Sequence, residues 1–192
     1  EAARYFKMAA DEGYPKAMYN YGILLENGDG IEKNKEEAAR YFKNGADEGD
    51  VLSMNKYACM LNEGDGIEIN KEEAARYYKM AADNGHIESM FYYAVMLTKG
   101  EGCEMNNEEE AHYFKLAADK GLPQAMYNYG IMLKEGDGIE MNKEEAAHYF
   151  KIAADEGFPQ AMYNYACMLN EGDGIEINKE EAARYFKMAA DE

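Results

Sequence analysis

Neighbouring aromatic and amide side chains are the residues of this chain best suited to recognising another molecule. They return at the same positions every 36 residues. An asparagine amide both donates and accepts hydrogen bonds, which matches a peptide backbone, and a tyrosine ring offers a large contact area at low entropic cost. We therefore predict a partner-binding surface formed by Tyr19, Asn20, Ile23, Asn55, Lys56, Phe91, Tyr92, Tyr127, Asn128, Ile131, Tyr163 and Asn164.

The second and third copies differ most at these positions. Asn55 and Lys56 in one copy, and Phe91 and Tyr92 in the next, replace the tyrosine–asparagine pair found in the other copies. We expect partner selectivity to lie at these residues. The alternative, that some of the tyrosines only pack between neighbouring helices, stays open at this point.

Loops that combine glycine and aspartate raise the question of calcium binding. If Asp65 and Gly66 took the fifth and sixth positions of an EF-hand loop, Glu72 would fall on the last ligand position. The first position, where a carboxylate ligand belongs, would then be Leu61, so the ligand set fails. The loops are predicted to be structural.

The histidines do not form a metal or catalytic site. His112 and His148 share one repeat position, at which the other copies carry arginine, and adjacent repeats should hold them too far apart for one zinc ion. His86 stands alone. The chain shows no serine–histidine–aspartate set, no thiolate–histidine pair and no phosphate-binding loop. We predict that it is not an enzyme and that it has no catalytic, cofactor-binding or metal-binding residues.

All of these residues belong to one repeating unit. Six tyrosines mark it without any insertion or deletion, and a fixed period of this size is typical of a stacked repeat array: they are Tyr5, Tyr41, Tyr77, Tyr113, Tyr149 and Tyr185. We predict a single array over residues 1–192, expected to be a fragment of a longer protein. It comprises a partial second helix at 1–12 and repeats at 13–48, 49–84, 85–120, 121–156 and 157–192.

The first helix of each repeat is predicted from its apolar spacing. In the first repeat it starts at Pro15, and Ala17, Tyr21, Leu24 and Leu25 form one helical stripe. The second and third repeats lack the proline, so we expect their first helices to begin later or to fray.

The second helix of each repeat is predicted from a capping box. Asn34 is the cap, and Glu37 lies three residues later, where it can reach back. The glycines before this box break the first helix. The apolar face that follows, around Tyr41 and Phe42, is predicted to be the wall on which the repeats stack rather than a binding site.

The charge of the chain limits its partners. Its formal net charge is -18, from 38 acidic and 20 basic residues. Such a polyanion disfavours nucleic acid and anionic membranes. No apolar run approaches the roughly 20 residues that span a bilayer, so no membrane insertion is expected. The acidic surface either keeps the array soluble or steers a basic peptide or protein towards it.

Three cysteines give a weak indication of compartment. Cys59 and Cys167 occupy the same repeat position three repeats apart, too far for a disulfide, and Cys103 lies in a loop. This unmatched set favours a reducing compartment such as the cytoplasm, while the lumen of the endoplasmic reticulum stays open.

The repeat motif resembles a known family. Each copy strings together Ala-Met-Tyr-Asn-Tyr-Gly-Ile, then Gly-Asp-Gly-Ile, then Glu-Glu-Ala-Ala-Arg-Tyr-Phe-Lys and finally Ala-Ala-Asp-Glu-Gly, with substitutions. This pattern closely resembles the Sel-1-like repeat family, a relative of the tetratricopeptide repeats, over the whole chain. The resemblance implies an all-α fold, a right-handed α/α superhelical solenoid of two-helix repeats whose first helices line a concave groove. One bacterial branch has a disulfide in each repeat, and this chain lacks that cysteine pairing.

The function that the resemblance and the groove residues imply is that of a scaffold or adaptor. Family members act mainly by holding other proteins together, so we expect a peptide or protein partner in the groove and no cofactor. The alternative is a passive spacer or a self-assembling array. It is motivated by the second helix that stands at both ends of the chain, where an apolar face would be open to end-to-end association.

Overall fold

The structure is a computed structural model that describes residues 1–191. Over this range the chain consists of α-helices and the loops that join them, so the predicted all-α class is confirmed. No helix within the described range has the length and apolarity needed to cross a membrane. The helices are α1 (Ala2–Asp11), α2 (Pro15–Asn27), α3 (Lys35–Asp47), α4 (Val51–Glu63), α5 (Lys71–Asp83), α6 (Ile87–Lys99), α7 (Asn107–Asp119), α8 (Pro123–Glu135), α9 (Lys143–Asp155), α10 (Pro159–Glu171) and α11 (Lys179–Asp191).

The helices form two compact units, Glu1–Glu104 and Met105–Glu192. Within each unit a first helix packs against the second helix of its own repeat, as α2 does on α3 and α8 on α9. The same first helix also packs against the second helix of the preceding repeat, as α4 does on α3 and α10 on α9. The first helices α2, α4, α8 and α10 are therefore each enclosed on two sides.

This double packing explains the burial of the first helix. Ala17, Tyr21 and Leu25 of the predicted stripe are buried, whereas Leu24 is only half-buried. Met18, which lies outside the stripe, is buried as well. A single apolar stripe accounts for contact with one neighbour, and α2 contacts both α1 and α3.

Aromatic residues of the second helix form the core of each repeat. Phe42 is fully buried, and a methyl group added at Gly22 of the first helix would lie 2.6 Å from its ring. Tyr41 meets Tyr21 edge to face, with the ring centroids 4.8 Å apart. The prediction that this face is a packing wall is confirmed in the first repeat.

The second helices begin with the predicted capping boxes. Asn34 Oδ1 accepts a hydrogen bond from the Glu37 backbone N–H at 3.0 Å, and the Glu37 carboxylate accepts one from Asn34 Nδ2 at 3.3 Å. The backbone N–H of Asn34 is bound instead by the Leu25 carbonyl oxygen at 2.9 Å. That last bond ties the start of the second helix to the end of the first.

The loop between the two helices rests on the preceding repeat. A methyl group at Gly66 would lie 2.8 Å from the Lys35 carbonyl carbon, so the loop backbone touches the first turn of α3. Asp65 of the same loop accepts a hydrogen bond from Lys35 Nζ. In the second unit, Asp173 bonds Lys143 Nζ in the same way at 2.7 Å. The loops are structural in that they join one repeat to the next.

The expectation that α4 and α6 begin late is wrong. They begin at Val51 and Ile87, the same repeat position as Pro15 in α2. Asp50 accepts a hydrogen bond from the Ser53 backbone N–H at 2.8 Å, and His86 Nδ1 accepts the corresponding one in α6 at 3.2 Å. The capping side chain therefore replaces the proline as the signal that starts the helix.

Replacing Asp50 with alanine is expected to lower the free energy of unfolding by about 1 kcal/mol, because Ser53 then loses its cap. Tyr14→Ala is the matched control, since Tyr14 is the N-cap of α2 and makes no side-chain cap bond. Urea unfolding followed by circular dichroism compares the two. Equal losses in both variants would show that the carboxylate does not cap α4.

Candidate partner-binding surface

The predicted groove residues of the first unit lie on α2, α4 and α6. We call these side chains, with their counterparts in the second unit, the first-helix surface. Every one of them is exposed or half-buried, and none is buried. The helices α2 and α4 are in contact, so their exposed side chains lie next to each other. We call each side chain of this surface a rung. In the first unit the rungs are Tyr19, Asn20, Ile23, Asn55, Lys56, Phe91 and Tyr92.

The aromatic side chains of the first-helix surface pack partly against core residues. The Tyr19 ring lies 5.9 Å from the ring of Phe42, and the Tyr92 ring lies 5.4 Å from that of Tyr78. Tyr92 nevertheless keeps 43% of its surface exposed. The two interpretations of the tyrosines are thus compatible, because one edge of the ring packs on the second helix while the other faces solvent.

The asparagines are less available than the sequence indicated. Asn20 Nδ2 donates to the Lys16 carbonyl oxygen of its own helix at 2.8 Å. Asn128 and Asn164 make the same bond to the carbonyl four residues earlier, at 2.7 and 3.0 Å. One amide hydrogen of each side chain is therefore used within the helix. The other hydrogen and the carbonyl oxygen remain for a partner.

Asn55 and Lys56 hold neighbouring repeats together. Lys56 Nζ lies 3.0 Å from Glu26 Oε2, and its side chain is 33% exposed. Asn55 Oδ1 accepts a hydrogen bond from Ser89 Oγ at 2.9 Å. Sequence reasoning missed both bonds because each partner comes from another repeat, and Glu26 has no identical counterpart in the other repeats.

A thiol and two tyrosines meet in the middle of the first unit. Tyr78 Oη donates to Cys59 Sγ at 3.2 Å, and the ring of Tyr92 covers Tyr78. Burial raises the pKa of the Cys59 thiol and outweighs the opposing hydrogen bond from Tyr78. Burial also raises the pKa of Tyr78. Both groups are therefore neutral at pH 7. They offer a partner a small polar contact, and the thiol is not a nucleophile.

The first-helix surface of the second unit consists of Tyr127, Asn128 and Ile131 on α8 and Tyr163 and Asn164 on α10. The Tyr127 ring is half-buried, with its centroid 5.9 Å from that of Phe150 and 5.5 Å from that of Phe158. By contrast, the Tyr163 ring is 57% exposed. Tyr163 is the most accessible aromatic rung of the surface.

The other chemical candidates stay outside this surface. His112 and His148 are exposed, and each ring meets the edge of the tyrosine that follows it in the chain. His86 caps α6. Among residues 1–191, no three histidine, cysteine, aspartate or glutamate side chains are grouped so that they could hold a metal ion.

A second set of contacts, which the sequence did not predict, joins consecutive second helices. Tyr77 Oη donates to Asp47 Oδ1 at 2.7 Å, and Lys43 Nζ donates to Asp47 Oδ2 at 2.7 Å. We call such a lysine–aspartate–tyrosine set a clasp. Within the two units, clasps are formed by Lys7–Asp11–Tyr41, Lys43–Asp47–Tyr77, Lys115–Asp119–Tyr149 and Lys151–Asp155–Tyr185.

The clasps change the acidity of their members. Hydrogen bonds from Tyr41 and then Lys7 hold the pKa of Asp11 below its ordinary value. Burial, followed by the bond to Asp47, raises the pKa of Tyr77 to about 12. The Lys43–Asp47–Tyr77 clasp is therefore a charged lysine, a carboxylate and a neutral phenol at pH 7. It stabilises stacking and presents no reactive group.

Two solved structures share this architecture at low sequence identity. One is a protective antigen present in uropathogenic Escherichia coli strains, described as displaying an SLR fold, with 23% identity and a TM-score of 0.92. The match covers 98% of this chain and 40% of that one. The other is a Sel1 repeat protein from Oxalobacter formigenes, with 25% identity and a TM-score of 0.88, covering 94% of this chain and 74% of that one.

One of the two sequence comparisons identifies the repeat family. A search of curated proteins gave no significant match. The Sel1 repeat model, however, matches six consecutive segments, at residues 1–14, 15–50, 51–86, 87–122, 123–158 and 159–192. The segments tile the chain from end to end, and their boundaries fall at the starts of the first helices described above. The chain therefore belongs to the Sel1 repeat family.

Proposed function

We propose that this chain is a protein-interaction scaffold whose first-helix surface binds a peptide or protein partner. Sel1 repeats form solenoids that generally serve as interaction scaffolds, which supports the broad class. The exposed rings of this surface, Tyr92 at 43% and Tyr163 at 57%, are the observation that carries the assignment to it. A partner that covers such a ring gains a large apolar contact beside hydrogen-bonding groups.

The neighbouring side chains fit an extended peptide. Next to Tyr163, the Asn164 carbonyl oxygen and its remaining amide hydrogen can pair with one backbone N–H and one backbone carbonyl. In the first unit, Tyr92 offers the same kind of ring beside the neutral Cys59 and Tyr78 pair. Because the rings already pack on core residues, little side-chain entropy is lost when a partner binds.

A peptide-display selection on the purified chain tests the proposal. We expect the enriched peptides to bind the double variant Tyr163→Ala/Asn164→Ala about tenfold more weakly than the wild type, in keeping with the loss of a central tyrosine contact. Calorimetry measures the affinities. The matched control is Tyr14→Ala, which removes a tyrosine of similar exposure (61%) outside the surface.

The outcome separates this surface from the rest of the protein. If the enriched peptides bind the double variant as tightly as the wild type, the surface in the second unit is not the binding site. If Tyr14→Ala weakens them equally, the loss reflects general tyrosine contacts and the proposal fails.

A further inference from the structure

The loops that precede the second helices carry exposed apolar residues in every repeat but the first. In the second unit these are Met105, Met141 and Ile177, which are 65%, 58% and 61% exposed. We call these three side chains the loop edge. They are separate from the first-helix surface, because they lie in loops rather than on α8 and α10. Large apolar side chains that recur so regularly at exposed positions are candidates for contact with a partner.

The loop edge is held in place by the loop backbone. A methyl group at Gly172 would lie 2.8 Å from Ile177 Cγ1, so the stem of the isoleucine packs against the loop. The next residue, Asn178, donates its backbone N–H to the Leu169 carbonyl oxygen at 2.8 Å, and Asn142 makes the same bond to Leu133. The side chains are therefore positioned before a partner arrives, which lowers the entropic cost of binding.

A cleft lined by both polar and apolar groups lies beside one of these residues. The cleft has a volume of about 390 Å³, and Met141 forms part of its wall. Its other apolar lining residues are Tyr129, Leu133 and Ile139. Glu140 and Glu145 lie at the same cleft, so an apolar side chain that enters it brings its neighbours close to carboxylates.

Acidic residues surround the loop edge. Glu140 and Glu176 directly precede Met141 and Ile177, and further glutamates follow each apolar residue three positions later, at Glu108, Glu144 and Glu180. All of these are exposed. The nearby basic residues are Lys143, whose ammonium lies 2.7 Å from Asp173, and Lys179. The edge therefore presents apolar contacts within a negative field.

The apolar side chains and the surrounding negative charge together restrict the class of partner. A second copy of the chain carries the same net charge of -18 and is repelled. An anionic membrane is repelled for the same reason. Stacked helices lie roughly 8–10 Å apart. A polyproline-like extended chain advances about 9 Å for each three residues, and every third side chain lies on the same face. The two spacings match, so every third side chain of such a segment meets the next residue of the loop edge.

We propose that the loop edge of the second unit binds a cationic protein segment in which an apolar residue recurs at about every third position among lysines or arginines. The apolar residues contact Met105, Met141 and Ile177, and one of them enters the cleft beside Met141. The basic residues between them pair with the flanking glutamates. This site is independent of the function proposed above, and the chain can occupy both surfaces at once.

Fluorescence anisotropy with designed peptides at physiological salt tests the proposal. The probe is a labelled peptide of four Lys-Lys-Leu units. Two peptides of equal length, with Lys-Lys-Ser units and with Glu-Glu-Leu units, separate charge from apolar contact. We expect only the Lys-Lys-Leu peptide to bind well, and a peptide of the same composition with its leucines clustered at one end to bind at least several-fold more weakly.

Variants locate the site. The triple variant Met105→Gln/Met141→Gln/Ile177→Gln leaves the charge unchanged and should weaken the Lys-Lys-Leu peptide at least tenfold. The first repeat already carries a polar residue, Lys33, at this position, so the fold accepts one there. The single variant Met141→Gln repeats the test with less change. The control is Tyr163→Ala/Asn164→Ala, which should bind the peptide as the wild type does.

Several results would overturn the proposal. One is equal binding of the Lys-Lys-Ser peptide, which would mean that charge alone attracts it. Another is unchanged binding by the triple and the single glutamine variants, or no binding of the Lys-Lys-Leu peptide to the wild type. A loss in the Tyr163→Ala/Asn164→Ala control as large as in the triple variant would place the peptide on the first-helix surface instead.

Discussion

Replacing Gly102 with alanine is expected to destabilise the first unit by about 1–3 kcal/mol more than replacing Gly30 with alanine, because only the first change overpacks a contact. Both glycines have a φ of 72° and occupy the same repeat position. Either alanine therefore carries the same backbone cost of a left-handed conformation. At Gly102 the added methyl group would also overlap the Lys71 carbonyl group and the Glu72 backbone nitrogen.

The contacted atoms cannot easily move aside. Lys71 and Glu72 form the first turn of α5, and their backbone is held by the capping box of that helix. At Gly30, in contrast, an added methyl group would meet no atom within 4 Å. The comparison thus isolates the contact between a loop and the preceding repeat from the conformational preference of glycine.

Urea unfolding of the two variants, followed by circular dichroism, measures the difference. Amide hydrogen exchange near Lys71 adds a local reading, since a displaced loop should expose the first turn of α5. If Gly102→Ala and Gly30→Ala shift the unfolding midpoint equally, the loop does not rest on the preceding repeat, and this account of the stacking is wrong.

Replacing Asp155 with alanine is expected to lower the free energy of unfolding by about 1–2 kcal/mol more than replacing Asp191 with alanine, because Tyr185 loses its acceptor. The Tyr185 ring is buried, and its hydroxyl donates to Asp155 Oδ1 at 2.6 Å. Asp191 has the same repeat position and the same place at the end of a helix, so it controls for helix propensity. Asp155 is half-exposed, and solvent screening keeps the expected difference modest.

The difference should depend on pH. Burial raises the pKa of Asp155, but hydrogen bonds from Lys151 and Tyr185 outweigh it and leave the pKa below its ordinary value. A lowered pKa in the folded state means that the stabilisation is complete above the unfolded pKa of about 3.9 and is lost as pH falls through the folded value. Unfolding measured at pH 7 and near pH 2 should show a larger gap between the two variants at neutral pH. A gap that persists unchanged at pH 2 would contradict the role of the carboxylate charge.

The sequence alone was sufficient for the fold within each repeat. The asparagine caps, the proline at Pro15 and the apolar stripe are local signals, and local signals decide where helices begin and which side is buried. Even the wrong expectation for α4 was a local matter, since Asp50 followed by Ser53 is itself a cap signal.

Contacts between repeats were harder to predict. The lysine and aspartate of a clasp stand four residues apart, as in any exposed helical ion pair, and nothing near them in the chain indicates the tyrosine. The strict recurrence of Lys43 and Asp47 at the period of Tyr77 was a signal that could have been used. Lys56 does not recur in this way, so the sequence gives no signal for its bond to Glu26, which is seen only in the structure.

In the contacts between repeats, a residue of the later repeat bonds a residue of the repeat that is synthesised before it. Tyr77 bonds Asp47, Asp65 bonds Lys35, and Lys56 bonds Glu26, each across 30 residues of chain. A repeat that leaves the ribosome therefore meets a neighbour whose binding groups are already synthesised. Short separations in sequence also favour rapid folding. We expect each unit to assemble in the direction of translation, with every new hairpin folding against a finished surface and seldom waiting for chain still to come.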